Sequence, residues 1–395
     1  MIRHLFTLIW NRKRANFLLI TEIFFAFVVL FVVGSMLVYN QQNYMAPLGY
    51  EYEQVWQLDL DPGQQPTKDQ PPVYDQIVRR LKALPGVKHV ARSTWNTPFS
   101  FSNNNSDLQV KKGLKVQNDI YHVGPEMRDV LGLKLLQGRW FEKTDETATR
   151  PVTVITQETR DKLFPNENPI GKVIHSSSDS KYEWQVIGVT GTYRSGSDFS
   201  EPAPAVFRLI MPLDTNMVGA SPMLLRVAPG STAELEKRII TEVLNTTKGW
   251  RADVTTLPEQ RVTKLKFVMT PIVGSLIVCA FLILNVALGL FGVLWYNINQ
   301  RRAEIGLRRA IGASSPAISS QFLGEVMVVT TFGLLLGLVV AAQFPLLGVM
   351  DLGAKVYVPG MLLATVLIYI LTAICALYPS RLASGIRPAV ALREE

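Results

Sequence analysis

Cysteine and histidine are scarce in this 395-residue chain, and their positions argue against disulfide bonds and against a metal site. The two cysteines, Cys279 and Cys375, both lie within apolar runs, so no disulfide framework is predicted. The histidines show no HExxH pair or other spacing typical of metal ligands. They stand scattered at His4, His89, His122 and His175. The sequence therefore predicts no metal site, and any domain outside a membrane must be held together by a packed core.

Nucleotide-binding and catalytic motifs are also missing from the sequence. A phosphate-binding loop needs a glycine, four residues and then Gly-Lys-Ser/Thr. The nearest approach, Gly171-Lys172, is followed by Val173 and has Asn166 where the first glycine belongs. The Gly-x-Ser-x-Gly elbow of many hydrolases does not occur. We therefore predict that the chain is not itself an enzyme and binds no cofactor.

Hydrophobic residues make up 48% of the chain and charged residues 18%, and this average hides four long apolar runs. Each has about 18 residues or more, which is the length needed to cross a bilayer as a helix. The runs cover residues 17–39, 270–296, 322–344 and 361–378. They predict a membrane α-helical fold with four transmembrane helices and a large extracytoplasmic domain, residues 40–269, inserted between the first and second.

Lysine and arginine collect beside the apolar runs, where they oppose translocation and so mark the cytoplasmic side. They are Arg3, Arg12, Lys13 and Arg14 before the first run, Arg301, Arg302, Arg308 and Arg309 between the second and third, and Arg381, Arg387 and Arg393 in the tail, 379–395. Loop 345–360 carries only Asp351 and Lys355 and fits the opposite side. Both termini are predicted to be cytoplasmic, and the net charge of +8 indicates contact with membrane lipids, not with nucleic acid. Residues 1–16 form either a helix along the interface or an ordinary basic flank.

The insert shows one pattern twice, a strand followed by an amphipathic helix and a second strand. The first copy is VWQLDLD, PPVYDQIVRRLKALPG and VKHVARS, and the second is MLLRVA, TAELEKRIITEVLNTT and RADVTTL. Between them, a subdomain rich in short strands is predicted at about 95–204, which gives the insert an α+β fold. The flanking segments NQQNYM and PEQRVTKLKF either continue the spans as helices into a stalk or form flexible linkers.

Two carboxylates lie within the spans, where a charge is costly and calls for an explanation. Glu22 is in the first span and Glu325 is near the cytoplasmic start of the third. Each either pairs with a nearby arginine or polar residue and so organises helix contacts, or lies close enough to the interface to reach water.

The connector between the second and third spans, residues 297–321, has the composition of a short amphipathic helix at a membrane surface. It mixes the arginines and Glu304 with Ile305, Leu307, Ala310 and Ile311, and a turn at Gly312-Ala313 precedes Ser314-Ser315-Pro316, which is typical of a new helix start. One face could dock on another protein, or the cluster could simply be solvated.

Several segments together resemble the MacB-like branch of the FtsX-like permease superfamily of ABC transporters. They are RRAEIGLRRAIGAS with QFLGE, the closing YPSRLASGIRPAVALREE, and, in the insert, LQGRWF, LFPNENPIGK and VIGV. The resemblance implies a permease that dimerises and engages cytoplasmic ABC ATPase subunits, which bind ATP and Mg. It places ATPase docking at Arg301, Arg302, Glu304, Ile305, Gly306, Leu307, Arg308, Arg309, Ala310, Gly312 and Ala313.

The same resemblance implies a function. MacB-like permeases transmit the movement of the ATPase pair through a stalk to the periplasmic domains, and here the ATPase is expected as a separate subunit. The expectation is an inner-membrane permease for efflux of a drug, peptide or lipoprotein-like substrate. Its expected partners include a second permease, identical or related, a periplasmic adaptor and an outer-membrane protein. The alternative is an FtsX-like regulator that activates a periplasmic enzyme without transport.

Overall fold

The computed structural model describes residues 13–110, 114–148, 150–177, 182–211, 221–247 and 249–384. They form two compact units. The helical unit comes from the two ends of the chain, up to Gln42 and from Met269 onward, and the insert unit is Asn43–Val268. The interfacial helix predicted over 1–16 lies largely outside the described residues, and 13–16 belong to the first long helix.

Helices occupy both ends of the chain and parts of the insert. In chain order they are α1 (Lys13–Met45), α2 (Pro71–Lys82), α3 (Met127–Leu131), α4 (Gln157–Leu163), α5 (Ala233–Thr246), α6 (Leu257–Gln300), α7 (Arg302–Ala310), α8 (Ser315–Ala341), α9 (Gln343–Leu346) and α10 (Ala354–Ser384). Among the described residues, α1, α6, α8 and α10 are long and apolar enough to cross a membrane, which confirms the four predicted spans.

The long helices extend beyond the apolar runs that predicted them. Helix α8 begins at Ser315, not at 322, and α10 begins at Ala354, not at 361. The polar segments beside the first two runs are also helical, since α1 continues to Met45 and α6 starts at Leu257. The prediction of helical continuation is therefore confirmed, and the flexible-linker alternative is wrong. Hydropathy marks the stretch that suits lipid, whereas helix ends depend on capping and backbone bonding.

Small residues allow close packing inside the helical unit. A Cβ atom on Gly337 of α8 would lie 2.3 Å from the Phe27 ring of α1, and one on Gly333 would lie 2.8 Å from the Ile23 side chain. Ile23 and Phe27 are fully buried. Glycines spaced four apart thus bring α8 against α1, which is a common way for membrane helices to associate.

Strands are confined, among the described residues, to the insert unit. They are β1 (Val55–Asp61), β2 (Val87–Arg92), β3 (Asn105–Gln109), β4 (Lys115–Val123), β5 (Leu135–Gly138), β6 (Val152–Thr156), β7 (Val173–Ser176), β8 (Glu183–Thr190), β9 (Ala205–Leu209), β10 (Met223–Val227) and β11 (Arg251–Thr256). They make a four-stranded sheet, β11-β1-β10-β2, and a seven-stranded sheet, β5-β8-β6-β9-β4-β3-β7.

The four-stranded sheet contains both predicted strand-helix-strand units. All its neighbours are antiparallel, so β10 of the second unit lies between β1 and β2 of the first. The helices α2 and α5 cover it through a core in which Tyr74, Ile77, Ile239 and Trp250 are buried. One continuous β-α-β-β-α-β layer is therefore built from two segments far apart in the chain.

The seven-stranded sheet is a barrel with one extra edge strand. Since β7 also pairs with β8, the strands β8, β6, β9, β4, β3 and β7 close into a ring, hereafter the barrel. Alternate residues on its strands, such as Ile120, Ile155 and Val206, share one core, while Val154 and Phe207 belong to a second. The subdomain was predicted to end at about 204. The barrel strand β9 starts after that point and ends at Leu209, so the subdomain extends further than predicted.

Candidate functional site

The connector forms a short helix, α7, between two membrane-length helices. Helix α6 ends at Gln300, α7 covers Arg302–Ala310, and α8 starts at Ser315. Gly312 adopts a φ of +99°, which glycine tolerates without strain, and the Ala313 amide donates to the Arg308 carbonyl. The predicted turn and the helix restart at Ser315-Pro316 are confirmed.

Five polar side chains join α7 to α8 in a closed network, hereafter the connector network. Arg301 donates from Nε to Glu304 at 3.0 Å and from Nη1 to both Glu325 oxygens at 3.1 and 2.9 Å. Arg308 donates to Glu304 at 2.5 Å and to Gln321 at 2.7 Å. Gln321 donates to Glu325 at 3.1 Å, which completes the circuit. The network fixes α7 against the start of α8.

An apolar contact supports the same joint. Ile305 of α7 is 3% exposed and packs with Ile298, Ile318 and Phe322. The Arg301 guanidinium also lies 5.4 Å from the centre of the Phe322 ring. Because a nine-residue helix has little stability alone, these contacts decide where α7 sits.

Two large aliphatic side chains at the connector are exposed. Leu307 is 55% exposed and Ile311, just past the helix end, is 77% exposed. Ala303, Ala310 and Gly312 are exposed as well. The side chains of Arg302 and Arg309 lie outside the described part of the chain. Within it, the connector presents two large aliphatic side chains, one helical turn apart, to its surroundings.

The predicted docking residues thus divide into two sets. Arg301, Glu304, Ile305 and Arg308 take part in the contacts that hold α7, and Gly306 is buried. The exposed set is Leu307, Ala310 and Gly312, with Ala313 half-buried against the Ile305 cluster. Sequence reasoning overlooked Gln321 and Phe322, although Gln321 stands four residues before Glu325, a spacing that aligns side chains on one helix face.

The two carboxylates within the spans have different surroundings. Glu325 forms an ion pair with Arg301, which is the arrangement predicted by the hypothesis that this carboxylate organises helix contacts. Glu22 lies against α6, where a Cβ on Gly289 would be only 2.5 Å from its carboxylate oxygen. No arginine pairs with Glu22 among the described residues.

In the insert unit, one buried arginine fixes the end of α1 to the loop of residues 191–200, hereafter the anchor loop. Arg194 is 2% exposed, and its guanidinium donates to the backbone carbonyls of Asn43 at 2.8 Å and Ala46 at 2.6 Å. It also donates to the carbonyls of Asp198 at 2.6 Å and Ser200 at 2.8 Å, within the loop itself. Arg194 therefore ties the loop to the last turn of α1, and the Asn43 side chain adds a hydrogen bond to the Phe199 carbonyl at 3.0 Å.

The anchor loop also holds the first turns of α6. Arg261 donates to both Asp198 oxygens at 2.7 to 3.1 Å and to the Tyr52 hydroxyl at 2.7 Å. The hydrogen bonds from Asp198 raise the pKa of Arg261 above its usual value. Lys264, one turn further on, donates to the Ser100 carbonyl at 2.7 Å. Both long helices are thus fastened to the same loop by buried or half-buried polar contacts.

Two family models match the chain and between them cover most of its length. The MacB-like periplasmic core domain matches residues 21–242, and the FtsX-like permease C-terminal domain matches residues 276–388. The chain belongs to the MacB-like, FtsX-like family of ABC transporter permeases. The family identification agrees with the four apolar helices and with an α+β domain between the first and second.

Curated relatives of this permease share about a quarter of its residues. A macrolide export ATP-binding/permease protein MacB from Hahella chejuensis is 28% identical over 80% of this chain and 48% of the relative. An uncharacterized ABC transporter permease, YvrN, from Bacillus subtilis is 23% identical over 82% of this chain and 80% of the relative. The permease spans about half the length of the MacB relatives it matches.

Solved structures of low similarity include two domains from related transporters. The periplasmic region of MacB from Actinobacillus actinomycetemcomitans has a TM-score of 0.38 and 18% identity, covering 53% of this permease and 92% of that chain. The extracellular domain of the noncanonic ABC-type transporter YknZ from Gram-positive bacteria has a TM-score of 0.35 and 17% identity, covering 50% and 99%.

Proposed function

We propose that this permease docks a cytoplasmic ABC ATPase through α7 and carries the ATPase movement to its extracytoplasmic domain. The observation that supports the proposal most directly is the connector: α7 is locked to α8 by the connector network and leaves Leu307 and Ile311 uncovered. A fixed helix with exposed aliphatic side chains suits a surface that must both bind a partner and pass on its motion.

The two exposed aliphatic side chains indicate that this part of the connector contacts a protein partner and does not stay in solvent. Leu307 and Ile311 expose aliphatic side chains beside a basic segment, and burying them against an ATPase surface would be favourable. Glu304 and Arg308, which bond to each other, would act indirectly, by setting the orientation of the helix. Basic residues at the connector and the family membership support a cytoplasmic location for this face and for both termini.

The two long helices provide the route to the insert unit. Helix α6 has 44 residues, so it extends about 66 Å, roughly twice the apolar thickness of a bilayer. The anchor loop fastens the end of α1 and the start of α6 to the insert unit through Arg194 and Asp198. A movement of either helix would reach the insert unit directly, because a flexible linker intervenes at neither anchor.

The proposed task is outward movement of a drug, peptide or lipoprotein-like substrate from the inner membrane, with ATP and Mg bound by the ATPase. The support is family membership and the names of relatives, which include macrolide export proteins. A second permease, identical or related, would complete the complex, and a periplasmic adaptor and an outer-membrane protein would complete the export path.

The test is whether ATP hydrolysis co-purifies with the permease through α7. The tagged full chain is purified from its native membranes in mild detergent, and vanadate-sensitive ATP hydrolysis is measured in the eluate. Ile311→Asp should reduce the co-purified activity at least tenfold, because it places a charge in the apolar contact. Leu244→Asp, at an exposed leucine of α5 in the insert unit, is the control and should retain it. Absence of activity with the wild type, or full activity with Ile311→Asp, would contradict the proposal.

A further inference from the structure

A cavity of about 420 Å³ opens at the barrel of the insert unit, far in sequence from every residue of the connector. It lies where β4 and β9 end side by side in parallel and where β6 and β8 begin. Its lining residues are His122, Asp145, Pro151, Val152, Ser176, Tyr182, Trp184, Arg208, Leu209 and Met211. The volume is that of small-molecule sites, and the mouth of a β-barrel is a common place for them.

Arg208 brings a cation into this cavity from β9. Its Nε and Nη2 atoms are buried, and no described residue supplies a hydrogen-bond acceptor for either. The guanidinium carbon lies 3.4 Å from the centre of the Trp184 ring, so the aromatic face is its principal neighbour. Burial lowers the pKa of Arg208 to about 10. The side chain nevertheless stays charged at neutral pH, and it is a half-buried cation with two buried donor atoms that no described residue accepts from.

Asp145 is the carboxylate that the described residues contribute to the cavity wall, and it is already paired. Both oxygens of Asp145 accept from Arg139, at 2.6 and 2.7 Å, and one of them also accepts from the Glu142 amide at 2.8 Å. The pKa of Asp145 is lowered chiefly by its hydrogen bonds from Arg139. The acid is therefore committed to another arginine, and among the described residues of the cavity wall Arg208 has no carboxylate partner.

We propose that this cavity binds a small organic carboxylate, with the carboxylate opposite Arg208 and the apolar body against Trp184, Tyr182 and Met211. A buried cation is unfavourable unless it is paired, and a carboxylate supplies acceptors that match a guanidinium. The aromatic and aliphatic lining favours an organic anion over inorganic phosphate. This site is independent of ATPase docking, so it stands or falls separately from the proposed function.

The experiment measures binding of 4-fluorobenzoate to the detergent-solubilised full chain by ¹⁹F NMR line broadening. The neutral isostere 4-fluorobenzamide is the ligand control, and unlabelled benzoate and inorganic phosphate are the competitors. The expected result is saturable binding of 4-fluorobenzoate that benzoate displaces, with at least tenfold weaker binding of the amide and little competition by phosphate. Equal binding of acid and amide, or equal competition by phosphate, would overturn the proposal.

Variants separate the site from general charge attraction. Arg208→Met keeps the length of the side chain but removes the charge, and it should weaken 4-fluorobenzoate binding at least tenfold. The matched control is Arg150→Gln, which removes an exposed arginine that pairs with Glu183 at the start of β8 and should change binding less than twofold. Unchanged affinity in Arg208→Met, or equal losses in both variants, would refute the assignment.

Thermal unfolding distinguishes a binding residue from a structural one. Because the described residues give the buried donors of Arg208 no acceptor, Arg208→Met should unfold at the wild-type temperature or higher in the absence of ligand. A large drop would show that Arg208 serves the fold, and would count against the site. If Arg208→Met fails to fold, Tyr182→Ala at an exposed position in the cavity wall should still weaken binding severalfold, and unchanged binding there would overturn the proposal.

Discussion

Replacing Glu325 with glutamine should release α7 from α8. Glu325 accepts two hydrogen bonds from Arg301 and one from Gln321, and its side chain is 22% exposed while that of Arg301 is 8% exposed. A hydrogen bond to a charged group contributes about 1.5–3 kcal/mol, and breaking a buried ion pair costs about 3–5 kcal/mol. Since glutamine keeps one acceptor and the site is partly exposed, we expect a loss of about 2 kcal/mol.

That loss corresponds to roughly a 30-fold shift toward the undocked helix. Since a detached nine-residue helix melts, the shift should appear as faster hydrogen exchange at the amides of α7, measured by mass spectrometry on the full chain in detergent. Glu304→Gln is the matched control, because Glu304 is 42% exposed and its pairs should contribute less than about 1 kcal/mol. Unchanged α7 exchange in Glu325→Gln, or equal acceleration in both variants, would refute the role assigned to the buried pair.

Two further predictions concern packing and pH. Gly337→Ala should lower the free energy of unfolding in detergent by about 1–3 kcal/mol, because the new methyl meets the Phe27 ring. The control Gly292→Ala, which has open space around it, should cause no loss. Similar shifts of the unfolding temperature in both variants would contradict this prediction. Arg139→Gln should lower the melting temperature at pH 7. The folded-state pKa of Asp145 is below its ordinary 3.8, so the stabilisation by the Arg139–Asp145 pair is present above about pH 4 and is lost as the pH falls. The difference in melting temperature between Arg139→Gln and wild type should therefore shrink at pH 3. A difference that stays constant with pH would contradict the pairing.

The parts of the fold that local patterns encode were predictable. Four apolar runs gave the four long helices, and helical and alternating periodicities gave both strand-helix-strand units of the insert. Closure of the barrel was not predictable, because it depends on the pairing of β7 with β8 and of β3 with β7, and no local pattern specifies a partner strand.

The candidate site was predicted in position but not in orientation. The connector sequence located α7 and its turn, yet it could not show which residues face α8, since the deciding partners, Gln321 and Glu325, belong to another helix. The anchor loop escaped prediction for a similar reason. Arg194 binds backbone carbonyls, and any residue type can supply a carbonyl, so its partners Asn43 and Ala46 leave no trace in the sequence.

The orientation of α7 changes the role that can be assigned to the charged residues of the connector. In isolation, a segment with four arginines and one glutamate suggests a solvated or protein-binding surface. Here Arg301 makes directed bonds to Glu304 and Glu325 at once, from Nε and Nη1, which only a planar guanidinium can do at these positions. Arg301, Glu304 and Arg308 therefore hold the short helix in place, whereas Leu307 and Ile311 are available for contact with a partner. It follows that affinity for an ATPase should depend on Leu307 and Ile311, whereas faithful transmission of its movement should depend on Arg301.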